Sequence, residues 1–357
     1  MTQRKAAFII ECGTKAGLGR LKRCLTLAQA LKARGMAFDI FYDGKGAKEA
    51  TLTFYPQAKA ISEFFQHPER HGPYSLVILD HSNQNIFTAQ QHGHCLQQTG
   101  AKLAIIDDLD QLQLAAEIII NPNLYGATLY KQREYAHIFA GPDYNLVDPR
   151  FFKENSKQAG HRKGIVLSFG GSDTGIRAAQ FLESFLEIHQ EINQEIHHQQ
   201  TSPSPLPPDT IPAVSIPPIN LPPVAIPIAG HISIDPHLEK LAQEYASIEL
   251  IKNASMPTLF SAARFYVGSA GVMVQEALAS GCDVFCCNCY QDQYLNYQFL
   301  QDNNIYCAQD FAPKSLAKAV ALALQAPTLK APTLHLPASG AATLAASLIT
   351  TVTAHAL

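Results

Sequence analysis

Short β-branched runs and helical patterns alternate through this chain, and twice a glycine turn joins the first run of a series to the helix behind it. The first turn lies in Gly17-Leu18-Gly19-Arg20-Leu21-Lys22-Arg23-Cys24, between an apolar run at 6–11 and a helix expected over 21–34. Leucines at 21, 25, 27 and 31 mark that helix's apolar face, and Gly35 is its stop signal. Further strands are expected at 38–42, 76–80, 103–107, 118–121 and 138–140. Alternation of this kind reads as a parallel, doubly wound sheet.

The pattern restarts at 164–169, with the turn Gly170-Gly171-Ser172-Asp173 and a helix over 175–197. Strands follow at 224–229, 249–251, 265–268 and 284–287, with helices at 236–245, from Met256, and over 271–280. At 357 residues the chain is long enough for two such cores. The fold class expected is therefore α/β: two Rossmann-like doubly wound domains facing across a cleft. Their expected bounds are 1–155 and 156–325, with a tail and helix over 326–357.

Pro203, Pro205, Pro207, Pro208, Pro212, Pro217, Pro218, Pro222, Pro223 and Pro227 crowd one stretch. No helix or central strand tolerates that density, so 199–223 reads as an extended, mobile insertion in the second domain. The C-terminal run 340–354 reads as one helix, of the kind that packs back on the first domain.

Composition removes several classes of function. Lys+Arg 27 against Asp+Glu 30 leaves a net charge of −3, without an electrostatic footprint for nucleic acid or an anionic membrane. No run approaches the roughly 18 to 20 apolar residues of a membrane span, and the basic start leads into a strand interrupted by Glu11 rather than a signal peptide. The expectation is a cytoplasmic protein. Cys282, Cys286, Cys287 and Cys289 cluster, with Cys286 and Cys287 in the apolar run 284–287; they read as reduced core thiols, with no metal.

In open α/β sheets, ligands bind beyond the carboxyl ends of the strands, and helix N-termini favour anions. Four places fit: the 13–20 loop, Asp80-His81, Gly170-Gly171-Ser172-Asp173, and Gly268-Ser269-Ala270-Gly271. Glu276 follows the last of these by five residues, more than one turn into the expected helix, where a carboxylate can accept from a ribose diol. A solvated helical glutamate is the simpler alternative.

The pieces stand in a fixed order: Gly17, Gly19, Arg23 and Cys24; Asp80-His81; Asp107-Asp108; Asn121-Pro122-Asn123; Gly141, Tyr144 and Leu146; Gly170-Gly171-Ser172-Asp173; Gly268, Gly271, Glu276 and Gln293. This order resembles the UDP-sugar hydrolases of the pseudaminic acid pathway, across nearly the whole chain except the proline-rich insertion. The resemblance implies a GT-B fold related to glycosyltransferases, and cleavage of UDP-2,4-diacetamido-2,4,6-trideoxy-β-L-altropyranose by inverting attack of water at the anomeric carbon. It implies that Gly17, Gly19, Arg23, Asp108 and Asn123 serve the sugar side. Gly170, Gly171, Ser172, Gly268, Ser269, Gly271 and Gln293 would line the nucleotide, with Glu276 on the ribose. UDP belongs to the substrate, so no cofactor is implied; the partners expected are a UDP-linked deoxyamino sugar and weak association with other enzymes of the pathway.

Arg20 stands where the family carries a histidine that acts as base. A guanidinium does not release its proton in proteins, so Arg20 cannot take that part; its expected gain is a grip on phosphate. Ser82 replaces a usual tyrosine, and Val272-Met273 replace hydroxyl residues. Three readings follow. The chain is a hydrolase with His81, beside Asp80, as base; or a UDP-sugar-dependent glycosyltransferase whose base is Asp80, His81 or the acceptor; or a non-catalytic nucleotide-sugar-binding protein. A histidine that only orients its loop is the alternative for His81.

Overall fold

The computed structural model describes residues 4–13, 18–66, 73–83, 86, 100–111, 116–130, 137–153, 162–170, 173–200, 221–228, 233–325, 334 and 336–354. Most of the proline-rich insertion, 201–220, lies outside them, as do Gly17, Gly171 and Ser172. The chain divides into two compact units, Met1–Lys153 with His335–Leu357, and Glu154–Leu334.

The first unit holds a parallel sheet of seven strands: β1 (Lys5–Glu11), β2 (Ala37–Asp43), β3 (Lys59–Ala60), β4 (Leu76–Asp80), β5 (Lys102–Ile106), β6 (Ile118–Asn121) and β7 (His137–Ala140). Their spatial order is β3-β2-β1-β4-β5-β6-β7. The winding reverses between β1 and β4, which is where such sheets open a crevice. Apolar residues point to both faces because helices cover both, as an all-parallel sheet requires. Ala6, Phe8 and Ile10 join one core with Leu21, Cys24, Leu27 and Leu31 of helix α1 (Gly19–Ala33). Ala7 and Ile9 join the other, with Phe41, Phe64 and Tyr74.

The C-terminal helix Gly340–Thr353 seats Leu344 and Leu348 in the first of these cores, beside α1. Asn145 holds its entry: the Nδ2 amide donates to the carbonyls of Pro142 and Pro337, both at 2.9 Å.

The second unit repeats the plan with six parallel strands: β8 (Gly164–Ser168), β9 (Val224–Ile228), β10 (Ile248–Lys252), β11 (Ala263–Ser269), β12 (Asp283–Cys287) and β13 (Tyr306–Ala308), in the order β10-β9-β8-β11-β12-β13. Its switch point falls between β8 and β11. Phe181, Leu182 and Phe185 of the helix Ile176–Gln200 pack on Ile165, Leu167 and Phe169 of the sheet side. That helix runs through Gln200, past the expected end at 197, so residues 199 and 200 are helical rather than part of the insertion. At the insertion's far end, Leu221 is buried in the second core.

β9 carries Pro227, which removes one ladder donor. The β8 ladder on β9 involves Val224 and Ala225 only, while the β10 ladder continues to Ile228. Among the described residues, no helix is long and apolar enough to cross a membrane.

Candidate functional site

At the first switch point, the strand register sets carboxylates side by side. Glu11 at the end of β1 is in register with Asp43 of β2, and Ile10 with Asp80 of β4. The next residues along the sheet edge are Asp107 and Asp108 after β5, then Asn121 and Asn123 at and after β6. Opposite them, the first turns of α1 bring Arg20, Arg23 and Cys24. Leu18 at the helix N-cap has no polar side chain with which to cap those turns.

Arg23 ties the group together. Its Nε and NH2 donate to the two oxygens of Asp80, both at 2.7 Å, and its NH1 donates to Asp108 Oδ1 at 2.9 Å. Asn123 Nδ2 donates to the same Asp108 oxygen at 2.6 Å and to Asn121 Oδ1 at 2.9 Å. Cys24 Sγ donates to Asp80 Oδ2 at 3.4 Å. Asp80 is 1% exposed, so this is a buried, bidentate charge pair. Desolvation works against ionised Asp108, but the Arg23 guanidinium overrides it and holds the carboxyl below its usual range. Burial, with the charges of Asp110 and Asp108, pushes Asp107 up against the hydrogen bonds from the Gln111 and Leu109 amides; its Oδ2 has no hydrogen-bond partner among the described residues.

Arg20 is not left free to grip a phosphate. It forms an ion pair with Glu11, and its Nε stands 3.6 Å from Asp80 Oδ1. Glu11 in turn accepts from the Ser82 amide at 2.9 Å. The carboxylates beside Arg20 have absorbed the charge that the sequence assigned to the ligand.

The structure also revises His81. Its Nε2 lies 3.1 Å from Asp43 Oδ2, and its Nδ1 accepts from the Asn83 amide at 3.0 Å. The second contact fixes the tautomer with hydrogen on Nε2, donating to Asp43. With both nitrogens engaged and the side chain 7% exposed, His81 orients the loop after β4 and has no lone pair to offer a water. Asp80 is set aside by burial: enclosed, with Arg23 across both oxygens, it has no side open to a water. Asp108 differs: one oxygen carries Arg23 and Asn123, and 34% of the side chain reaches solvent.

In the second unit, Gly268 lies within β11 where the backbone of β8 passes so closely that a Cβ would stand 1.8 Å from the Ser168 carbonyl oxygen. Only glycine fits. Ser269 ends that strand, buried, and the turn through Gly271 leads to the helix Met273–Ala279. This helix begins two residues later than expected, because Val274 and Gln275 close tight bonds back to Gly271 and Val272. Glu276 therefore sits in the first turn rather than beyond it.

Gln293 Nε2 stands 3.1 Å from the position of a Cβ on Gly271, and Gln293 Oε1 accepts from the Cys289 amide at 3.3 Å. Gly170, at φ +115°, faces the ring of Tyr290. Gly19, by contrast, opens α1 with nothing within 4 Å of its Cβ direction.

Several neighbours had no sequence signal. Glu11 and Asp43 reach the first site only through strand order. Arg177 stacks on Tyr290 with its guanidinium carbon 5.2 Å from the ring centroid, and its NH1 lies 3.4 Å from Asp173 Oδ1. Asn296 Nδ2 donates to the Ala270 carbonyl at 3.0 Å, while Asn296 Oδ1 is buried with no hydrogen-bond partner among the described residues.

No protein-family model matches this chain, and no curated protein matches its sequence. Solved structures do match it, over nearly its full length. A proposed UDP-N-acetylglucosamine 2-epimerase from Listeria monocytogenes aligns with a TM-score of 0.59 at 11% identity, over 99% of this chain and 97% of that one. A glycosyltransferase from Rickettsia africae aligns with a TM-score of 0.59 at 10% identity, over 99% and 100%. MnaA from S. aureus, solved with UDP, aligns with a TM-score of 0.58 at 10% identity, over 98% and 97%. At such identities the likeness is one of fold, and the fold is the GT-B type: two parallel sheets, each with flanking helices.

Proposed function

We propose that this GT-B-fold chain is an enzyme acting on a UDP-linked sugar, and that it hydrolyses a UDP-linked deoxyamino sugar to UDP and free sugar. The motif order's likeness to pseudaminic acid pathway hydrolases, and of the fold to proteins that use or bind UDP-sugars, support the substrate class. The nucleotide belongs with the second unit: Gly170, Ser269 and Gly271 around the diphosphate and uridine, Gln293 beside them, Glu276 on the ribose.

The observation that carries the reaction is the half-free carboxylate of Asp108. An inverting attack needs a base within hydrogen-bond reach of the water, and a leaving UDP that is anchored. Arg23 keeps Asp108 ionised, Asn123 fixes its plane, and its second oxygen has room for the water. The same guanidinium makes it a weak base, so the water must be held in line for attack rather than deprotonated beforehand. Asp80 and His81 are positioning residues in this mechanism, acting through Arg23 and through Asp43.

The engaged ring of His81 and the likeness to a glycosyltransferase favour a second reading, transfer to an acceptor hydroxyl. Incubation with UDP-2,4-diacetamido-2,4,6-trideoxy-β-L-altropyranose, followed by phosphorus NMR, separates the two. Hydrolysis releases UDP with water alone, and Asp108→Asn slows it by about a hundredfold or more. Release only when an acceptor is added leaves the transferase, and no release under either condition sinks both.

A further inference from the structure

Among the described residues, the densest group of nucleophilic side chains outside those assigned above lies on the last strands of the second sheet. Cys287 closes β12, with Cys286 in register with Cys307 of β13, and Cys289 follows two residues later. The Sγ atoms of Cys287 and Cys289 are already only 3.4 Å apart.

We propose that Cys287 and Cys289 form an oxidation site, a dithiol that a peroxide converts into an intramolecular disulfide. Cys289, half-buried, is the reachable thiol; Cys287 is fully buried and resolves. The Cys289 thiolate attacks one peroxide oxygen, the O–O bond breaks, and the leaving hydroxide takes up a proton as water. The Cys287 sulfur then attacks the sulfenic sulfur of Cys289, and the hydroxyl leaves with the thiol proton as a second water. Two thiols and one peroxide thus give one disulfide and two waters.

The surroundings agree with this division of labour. A hydrogen bond from Cys287 lowers the Cys289 thiol, and the Arg177 charge helps, against opposing desolvation and the Asp173 charge. That same hydrogen bond, together with burial, raises Cys287. Cys282, by contrast, is pushed up to about 12 by burial. Because the Cys289 amide donates to Gln293 Oε1, closing the disulfide draws on the side chain that borders Gly271. The expected consequence, weaker UDP binding, rests on the nucleotide assignment proposed above.

The test treats the full chain with one equivalent of hydrogen peroxide. The expected product is lighter by about 2 Da, the two thiol hydrogens, and dithiothreitol restores the mass. Tandem mass spectra of the wild type should then contain no fragment cut between positions 287 and 289. Cys286→Ser and Cys307→Ser keep the loss; Cys289→Ser abolishes it, and Cys287→Ser leaves a sulfenic acid on Cys289 that dimedone traps. A stable dimedone adduct on wild-type Cys289 without the mass loss overturns the proposal, as does a mass loss that survives in Cys289→Ser. UDP titrations of the reduced and oxidised forms should differ at least threefold, and equal affinities overturn the link to Gly271. A reduced protein that binds no UDP overturns the nucleotide assignment instead, while the mass result still decides the dithiol.

Discussion

Replacing Asp80 by Asn tests whether the Arg23 cluster is an ordinary surface ion pair or the buried tie that its geometry describes. The asparagine keeps the shape of the carboxylate but removes its charge, and turns one acceptor facing Arg23 into a donor. Of the two 2.7 Å bonds, one is lost to N–H opposing N–H and the other weakens to a charge–dipole contact. Hydrogen bonds to charged groups contribute about 1.5 to 3 kcal/mol each, and breaking a buried pair costs about 3 to 5 kcal/mol. Arg23 retains Asp108, so the lower end applies, about 3 kcal/mol.

Two compact units make a single global transition unsafe as a measure. Amide hydrogen exchange read strand by strand avoids that problem. A loss of about 3 kcal/mol accelerates exchange of the protected β1 and β4 amides roughly 150-fold, at about 1.4 kcal/mol per decade, with β8 and β11 unchanged. Acceleration below about threefold, well under 1 kcal/mol, would falsify the assignment of a buried tie.

The carboxyls of Glu11 and Asp108 are both held below their usual range, Glu11 by the Ser82 amide and Arg20 against opposing burial, Asp108 by Arg23 against the same opposition. A depressed folded value means stability that is complete above the unfolded value, about 4, and is lost as pH falls through the folded one. Exchange protection in the first unit should therefore hold at pH 6 and decline below pH 4, with a shallower decline in Asp108→Asn. An equal decline in that variant would clear Asp108 of the acid sensitivity. Gly268→Ala places a methyl 1.8 Å from the Ser168 carbonyl oxygen and must part β8 from β11; a cost of about 3 kcal/mol or more, seen as faster exchange in those strands, is expected, and wild-type protection would refute the close approach. His81→Gln can keep one of the two loop contacts, so it should retain activity within about tenfold, unlike Asp108→Asn, if His81 positions rather than accepts a proton; equal losses in kcat would return the base to His81.

Local pattern sufficed wherever one segment carries its own signal. The runs 76–80 and 118–121 emerge as strands with the expected bounds, since buried parallel strands read as continuous apolar stretches. Edge strands β3 and β13, two and three residues long, have no such run to read. Arg23, Asp80, Asp108 and Asn123 were named as site residues, and the structure brings those four into one hydrogen-bonded group. What the sequence could not disclose is who neutralises whom. Arg20 looks available in the sequence because its partner Glu11 belongs to another element, and His81 looks basic because Asp43 reaches its Nε2 only once β2 and β4 flank β1. Arg177 and Tyr290 are separated by 113 positions and meet only through the fold of the second unit.

The C-terminal helix gives the two units different histories on the ribosome. Glu154–Leu334 is one uninterrupted stretch, with every strand of its sheet in hand before the C-terminal helix is made. The first unit's strands precede it, yet that unit cannot fill its core until Leu344 and Leu348 have been made, after the whole of the second unit. Its strands can pair early, but one face stays open for the time needed to translate some two hundred residues, at about 5 to 20 per second. The usual order, N-terminal domain first, is thus inverted here: the later-made unit is the earlier to be finished, and the half with the carboxylate–arginine cluster closes last.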